Sequence, residues 1–307
     1  MAPAYGTARV AVGAILAGIV LALPARPASA AFPGANGRIV FVDRRYNDDG
    51  SVTDRLRSVR PDGTGRRTLL RAKGYPPLVP GPFLPRWAPD GRRIVLGFRG
   101  NVITVDGRGR HRRVIAPFDT VAHPSWAPDG RRLLFYLPND RPNALFTMAV
   151  GGTRPRLMLG GLPGNPEVPM WSPSGGRVAF EIYTAGTPTL WTARTDGGGA
   201  RPLVPGGARP AFSPDGGAIA FALFDRLWVM RADGSHARQL TAPAPGKVVH
   251  GVAFSPDGRF AVIARQRQVG AIGPSRLFVV RRRDGHERRL RVGGTAGSPD
   301  WQPLPRG

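Results

Sequence analysis

The sequence predicts an all-β protein, a six-bladed β-propeller whose blades are four-stranded antiparallel sheets. The main observation is a repeated motif: an aromatic residue, Ser or Ala, Pro, Asp or Ser, and Gly, followed by an apolar run. Copies stand at Trp87, Trp126, Trp171, Phe212 and Phe254, with a degenerate copy at Trp301. Their spacings are 39, 45, 41, 42 and 47 residues, and a propeller blade repeats about every 40–45 residues. Beyond the N-terminal segment no stretch keeps a helical period, so we expect almost no helix.

Each motif predicts a strand, a tight turn and a second strand, and residues 123–136 serve as the example. Pro128 suits the first central position of a type I turn because its ring fixes φ near −65°. Asp129 can bond its own backbone, and Gly130 can adopt the left-handed conformation that closes a bulged hairpin. The run from Leu133 to Leu137 is continuously apolar, which predicts a strand buried on both faces between stacked sheets.

A second signature supplies the other two strands of each blade. Residues 227–232, the Asp233-Gly234 turn and residues 238–240 read as a third strand, a turn and a fourth strand. Matching turns stand at Asp62-Gly63, Asp106-Gly107, Gly151-Gly152, Asp196-Gly197 and Asp284-Gly285. Residues 37–42 resemble the apolar second strand of a blade, but no aromatic motif precedes them. Trp301 lies in a segment that resembles the first strand of a blade, but no second strand follows it. We therefore expect the two ends of the chain to share one blade and to close the ring.

The aromatic residues of the motif are predicted to be core rather than ligand contacts, because regular repetition is what packing between blades requires. These residues are Trp87, Trp126, Trp171, Phe212, Phe254 and Trp301. Each can bury about 150–250 Å², which contributes at most about 4–6 kcal/mol.

The Trp/Phe-Ser/Ala-Pro-Asp-Gly strand pair, with an Asp-Gly turn and Arg-x-Leu behind it, resembles the propeller repeat of the TolB family and its WD-like relatives. TolB proteins have an α/β domain before the propeller, whereas here the ring follows the N-terminal segment directly. The resemblance therefore implies a stand-alone TolB-type propeller over residues 31–307, which is a scaffold fold. Separately, we expect a monomer.

The N-terminal 30 residues read as a secretory signal peptide. Arg9 precedes an apolar run from Val10 to Leu23, and Ala28-Ser29-Ala30 is a small-residue cleavage site. The alternative is an uncleaved membrane anchor, but the run is short for a bilayer span. We expect an extracytoplasmic, secreted or periplasmic protein with no stable membrane insertion after cleavage. No cysteine occurs in the chain, so no disulfide stabilises it.

The charge is strongly positive, at +24, and would be +22 without residues 1–30, which hold two arginines and no acid. In antiparallel blades the turns after the first and third strands lie on one face of the ring, and many arginines stand there. The candidates for this basic face are Arg66, Arg67, Arg92, Arg93, Arg112, Arg113, Arg131 and Arg132. Most acids outside the turns, including Asp43, Asp54 and Glu181, should lie on the opposite connections. The alternative is a solvated surface that reflects arginine-rich codon usage.

Three weaker features could be sites. The acids between Asp43 and Asp54 do not alternate as a calcium loop needs, so a long solvated connection is expected there. His123 and His250 precede first strands and could reach the channel mouth, but two histidines without a third ligand are weak evidence for a metal. No Gly-x-Ser-x-Gly elbow is present, which argues against a hydrolase with a propeller lid.

The sequence therefore favours a non-catalytic binding scaffold for an envelope protein or an anionic polymer, with no cofactor and no catalytic residue. Sequence-specific nucleic-acid recognition is not expected, because no groove-reading helix is present. The alternative is a lactonase- or lyase-type enzyme with a metal or an acid–base pair in the channel. Its candidate residues would be Asp119, His123, Glu167 and His250.

Overall fold

The predicted architecture is confirmed: the chain forms six four-stranded antiparallel sheets around a central channel. The computed structural model describes residues 32–75, 83–98, 101–116, 122–137, 143–267 and 274–305, and within these ranges there is no helix. Accordingly, no helix among these residues has the length and hydropathy of a membrane span. The sequence anticipated this content because Asp-Gly and Pro-Asp-Gly turns break the chain into short apolar runs.

Each blade runs outward from the channel through four strands. Blade 1 consists of β24 (Thr295–Leu304), β1 (Ala35–Tyr46), β2 (Val52–Val59) and β3 (Arg67–Tyr75). Blade 2 consists of β4 (Phe83–Trp87), β5 (Arg93–Phe98), β6 (Asn101–Asp106) and β7 (Arg113–Ala116). Blade 3 consists of β8 (Ala122–Trp126), β9 (Arg132–Tyr136), β10 (Leu145–Ala149) and β11 (Arg156–Leu159).

The second half of the ring follows the same order. Blade 4 consists of β12 (Pro166–Trp171), β13 (Arg177–Thr184), β14 (Thr187–Arg194) and β15 (Arg201–Pro205). Blade 5 consists of β16 (Gly207–Phe212), β17 (Ala218–Leu223), β18 (Arg226–Arg231) and β19 (Arg238–Gln239). Blade 6 consists of β20 (Lys247–Phe254), β21 (Phe260–Arg267), β22 (Ser275–Arg281) and β23 (Glu287–Leu290).

The turn of the repeated motif has the predicted geometry. In blade 3 the Gly130 amide donates to the Ala127 carbonyl at 3.0 Å, and Gly130 has a φ of 64°. Asp129 Oδ1 accepts the Arg131 amide at 2.8 Å. The strand that follows is buried from Leu133 to Leu137, as a strand between two neighbouring sheets must be.

Ring closure by the two ends of the chain is confirmed. β24 pairs antiparallel with β1, and Ile39 faces Trp301. The Trp301 indole Nε1 donates to the Gly37 carbonyl at 3.2 Å. Blade 1 is therefore built from residues more than 260 positions apart in sequence, and every first strand has a partner in its own sheet.

The six motif aromatics are core, and each exposes 4% of its surface or less. Each packs against the preceding blade: Trp87 with Leu56 of blade 1, and Trp126 with Val95 of blade 2. Trp301 completes the circle by packing against Val262 of blade 6. The repeat therefore exists because each blade contributes one large side chain to the interface with its neighbour.

The first strands carry a bulge that the sequence did not predict. Three positions before the aromatic residue, the backbone is left-handed at Leu84, His123, Val168, Arg209 and Ser298, with φ between 40° and 66°. In blade 6 the register shifts between Val249 and Gly251. Left-handed conformations cost non-glycine residues about 1 kcal/mol or more, so neighbouring groups must hold them in place. In two blades the partner of the strained amide comes from the preceding blade, as described below.

The expectation of a long solvated connection between Asp43 and Asp54 is wrong. β1 continues to Tyr46 and β2 begins at Val52, so only a short turn separates them. Asp43 and Asp54 are fully buried inside the strands. Asp43 lies 3.1 Å from Arg57, and Asp54 lies 2.8 Å from Arg44. Because these cationic partners compensate the buried carboxylates, the two acids can lie in a sheet where the sequence pattern predicted a polar loop.

Candidate functional site

One end of the central channel is closed by the aromatic side chains of the repeated motif. The ring of motif aromatics surrounds a cavity of about 20 Å³, which is room for about one water molecule. Phe32, from the segment before β1, also lines this cavity and packs on Trp126 and Ala88. The Gly34 amide donates to the Pro256 carbonyl at 3.3 Å and holds this segment across the end of the ring. Residues 32–34 therefore plug the aromatic end of the channel.

A buried ion pair lies beside the aromatic ring and joins blades 1 and 2. Asp300 Oδ1 is 3.6 Å from Arg86 Nη1, and Asp300 Oδ2 accepts the Trp87 amide at 2.7 Å. Burial raises the pKa of Asp300 to about 6, against the opposing effect of Arg86 and the backbone amides. Each residue stands one position before its motif aromatic, where the side chain faces the channel.

A second polar cluster lies between blades 4 and 5. Glu181 is fully buried, and its Oε2 accepts the strained amide of Arg209 at 2.7 Å. The Arg209 guanidinium lies 3.7 Å from the other Glu181 oxygen. Glu167 faces Glu181 across the strand pair, and burial, together with this second carboxylate, raises the pKa of Glu167. The single charge of Arg209 thus offsets part of the repulsion between the two carboxylates.

The two channel histidines are held as structural hydrogen-bonding groups. His123 Nδ1 accepts the strained Val168 amide of the next blade at 3.1 Å. His250 Nε2 donates to Ser275 Oγ at 2.7 Å, because the Ser275 hydroxyl donates to the Ala296 carbonyl at 2.7 Å. Burial, with the nearby charge of Arg209, lowers the pKa of His123 to about 3 and that of His250 to about 4, so both rings are neutral at ordinary pH.

The channel offers little for the enzymatic alternative. Among the residues that the structure describes, no group of three or more His, Asp and Glu side chains could hold a metal ion. Of its four candidates, Asp119 lies outside the described residues and the two histidines bind separate partners. Glu167 is the remaining one, with Arg209 and Glu181 near it. Arg86, Asp300, Glu181 and Arg209 were not singled out as site residues, although a polar residue just before a motif aromatic is a usable signal for the first two.

The predicted basic-face arginines lie at the turns after first and third strands, but they differ in their surroundings. Arg67, Arg112, Arg113 and Arg131 are exposed. Arg93 and Arg132 cover the aromatic residue of the next blade, with guanidinium carbons 4.9 Å from the Trp126 ring and 5.2 Å from the Trp171 ring.

The other basic-face candidates are Arg66, which donates to the Val292 carbonyl, and Arg92, which is exposed. The expected acidic surface opposite is partly wrong, because Asp43, Asp54 and Glu181 are buried in ion pairs rather than solvated.

Comparison with known proteins agrees with this architecture. The TolB beta propeller domain matches residues 31–304, which is nearly the whole chain. The chain belongs to the TolB propeller family. The Tol-Pal system protein TolB of Anaeromyxobacter dehalogenans strain 2CP-C is 44% identical over 82 residues. That match covers 24% of this chain and 18% of the relative, so the TolB-type chain described here aligns with less than a fifth of that protein.

Solved structures share the fold. TolB from Acinetobacter baumannii superposes with a TM-score of 0.70 at 22% identity, over 87% of this chain and 67% of that one. A putative TolB from Agrobacterium tumefaciens superposes with a TM-score of 0.63 at 19% identity, over 86% of this chain and 92% of that one. At these identities the likeness establishes the propeller and nothing about ligands.

Proposed function

We propose that this TolB-type propeller is a non-catalytic binding scaffold of the cell envelope, which holds an envelope protein and binds anionic polymers through its arginine-rich face. The observation that carries the proposal is the family match across the whole ring, together with a relative that is a Tol-Pal system protein. The two channel histidines bind separate partners, the Val168 amide and the Ser275 hydroxyl, which is compatible with a structural role in a binding scaffold.

The location outside the cytoplasm is part of the proposal and rests on the signal-peptide pattern of residues 1–30. N-terminal sequencing of exported protein should begin at Ala31, one residue before the channel plug Phe32. Intact Met1 on membrane-bound protein would contradict cleavage.

The protein-binding part is tested in the native cell. The full chain with a C-terminal tag should be exported, crosslink in the cell to one discrete envelope protein, and bind that purified protein saturably. A variant without residues 2–30 is the matched control, since it folds the same ring in the wrong compartment. Recovery of the full chain without a specific crosslinked partner would contradict the scaffold.

The polyanion-binding part is tested with long-chain heparin. Binding should weaken steeply with salt, because each neutralised charge releases a counterion. Replacing Arg67, Arg112 and Arg113 with Gln should flatten the salt slope, by up to about one per charge removed. The control replaces the exposed residues Arg45, Lys247 and Arg267, which stand at the strand ends of the opposite face. Equal slopes for the two triple variants would show that the positive field is diffuse.

A further inference from the structure

The turn face is not uniform, because blade 6 departs from the repeat in two places. In the other five blades the amide that closes the turn between third and fourth strands bonds three residues back, as Gly234 does to Arg231. In blade 6 the Gly285 amide bonds four residues back, to Arg281. The turn is one residue longer and reads Arg281-Arg282-Arg283.

The second departure is Phe260. At the start of the second strand, Arg93, Arg132 and Arg177 stand in blades 2 to 4 and Ala218 in blade 5, whereas blade 6 has Phe260 opposite Arg281. The ring is partly exposed, and Arg259 lies 6.0 Å from its centre. Blade 6 therefore combines additional cations with an aromatic side chain that no other second strand offers at this position.

These residues line a groove of about 450 Å³ at the turns of blades 5 and 6. Its cationic walls are Arg238, Arg259, Arg281, Arg282 and Arg283. Asp284 pairs with Arg281 at 2.7 Å and lies 3.4 Å from Arg283, and the charge of Arg282 acts on Asp215. These two carboxylates are outnumbered by the five guanidinium groups of the groove. A second groove of about 260 Å³ adjoins the first at Phe260 and Arg281 and continues past Pro61, Val279 and Arg288. Together they form an extended path rather than a pocket for one ion.

We propose that this path, the blade 6 groove, binds an acidic oligosaccharide, with its sulfate or carboxylate groups on the arginines and a sugar ring against Phe260. Guanidinium groups match oxyanions in a two-pronged geometry, which suits both sulfate and carboxylate. The apolar lining at Pro61, Phe260 and Val279 gives a sugar face a surface that a polyphosphate chain cannot use. The assignment rests on the proposed extracytoplasmic binding function, which also disfavours a nucleic-acid ligand.

The test uses the exported full chain and a sulfated heparin hexasaccharide, which is short enough to report one groove rather than the whole face. Arg259→Gln/Arg283→Gln should lower the affinity at least tenfold, because two charged contacts are lost. The matched control is Arg45→Gln/Arg267→Gln, which removes the same charge from exposed positions at the strand ends of the opposite face. It should change the affinity less than about twofold, as expected for distant charges screened by salt.

Phe260→Ala separates the ligand chemistries. It should lower hexasaccharide affinity several-fold and leave the weaker binding of inorganic polyphosphate unchanged, with the melting temperature of each variant checking the fold. Equal losses in the two arginine pairs would overturn the groove and leave the proposed polyanion function standing. Absence of binding to both long heparin and the hexasaccharide would overturn both. Tighter binding of a single-stranded DNA oligonucleotide, lost in Phe260→Ala, would overturn the oligosaccharide in favour of nucleic acid.

Discussion

Two positions of the first strands behave in opposite ways. The motif aromatic is the same kind of residue in all six blades and packs on the preceding blade each time. Three residues earlier, at the bulge of the first strand, the residues differ: Leu84, His123, Val168, Arg209, Gly251 and Ser298. The first position specifies the ring, and the second has its own polar partner from the preceding blade at Val168 and Arg209. Repetition marks what the fold needs, whereas variation within the repeat marks what is particular to this protein.

The largest effect should come from the repeated position at the closure of the ring. Trp301→Ala should cost about 3–5 kcal/mol of unfolding free energy, because it empties a buried site on Val262 and Ile39 and leaves β24 weakly held. Thermal unfolding measures it, and Phe224→Ala is the control, since Phe224 is 73% exposed. An unchanged melting temperature would mean that the ring does not depend on this closure.

The variable position should give a smaller but residue-specific effect. Glu181→Ala should lower the unfolding free energy by about 2–4 kcal/mol. The substitution leaves the Arg209 amide without an acceptor and removes the ion-pair partner of a partly buried guanidinium. Glu181→Gln keeps an acceptor for the amide and should recover a substantial part of the loss. If Gln and Ala unfold at the same denaturant concentration, the hydrogen bond to the strained amide has no stabilising role.

How much of the molecule the sequence predicts depends on how local the signal is. Pro128, Asp129 and Gly130 determine a turn among themselves, and six copies at a regular spacing establish the ring and its closure. The channel could not be predicted, because its contacts join residues such as His123 and Val168, 45 positions apart, through a backbone bulge. Asp43 was misassigned for the same reason: its Arg57 partner lies on the neighbouring strand, so the sequence pattern showed an acid and not an ion pair.

The buried polar groups of the channel should also make folding stability depend on pH, in opposite directions for the carboxyl group and for the histidines. The pKa of Asp300 is raised to about 6, so the folded state binds a proton between about pH 4 and pH 6 that the unfolded state does not, and this contribution to stability falls as pH rises. The pKa values of His123 and His250 are lowered to about 3 and about 4, so their contribution is present above pH 6.5 and is lost on acidification.

Asp300→Asn removes the contribution of the Asp300 carboxyl group to the pH dependence of stability. Without the carboxyl group, the loss of stability between pH 6 and pH 4 should be steeper by up to about 1.4 kcal/mol per pH unit, the value of one bound proton. Urea unfolding of both proteins at each half unit of pH measures the two slopes, and their difference is the quantity of interest because Arg86 also loses its partner. Parallel curves would show that Asp300 titrates alike in the folded and unfolded states.

The smallest expected effect concerns Arg93, a turn arginine that either stabilises the motif aromatic of the next blade or contributes only to the surface charge. Arg93 is 40% exposed, yet its guanidinium lies 4.9 Å from the Trp126 ring and 3.8 Å from Asp90. An exposed cation–π contact of this kind contributes about 0.5–1 kcal/mol, and a surface ion pair adds little.

Arg93→Gln should therefore lower the melting temperature by about 1–3 °C for a chain of this size. The neighbouring variant Arg92→Gln removes the same charge from an exposed side chain that makes no aromatic contact within the described residues. It should leave the melting temperature within about 1 °C of the parent. Because both variants reduce the net charge equally, a shared shift would assign the effect to the overall field. A shift confined to Arg93 would mean that part of the arginine-rich face exists to cover the aromatic ring of the next blade.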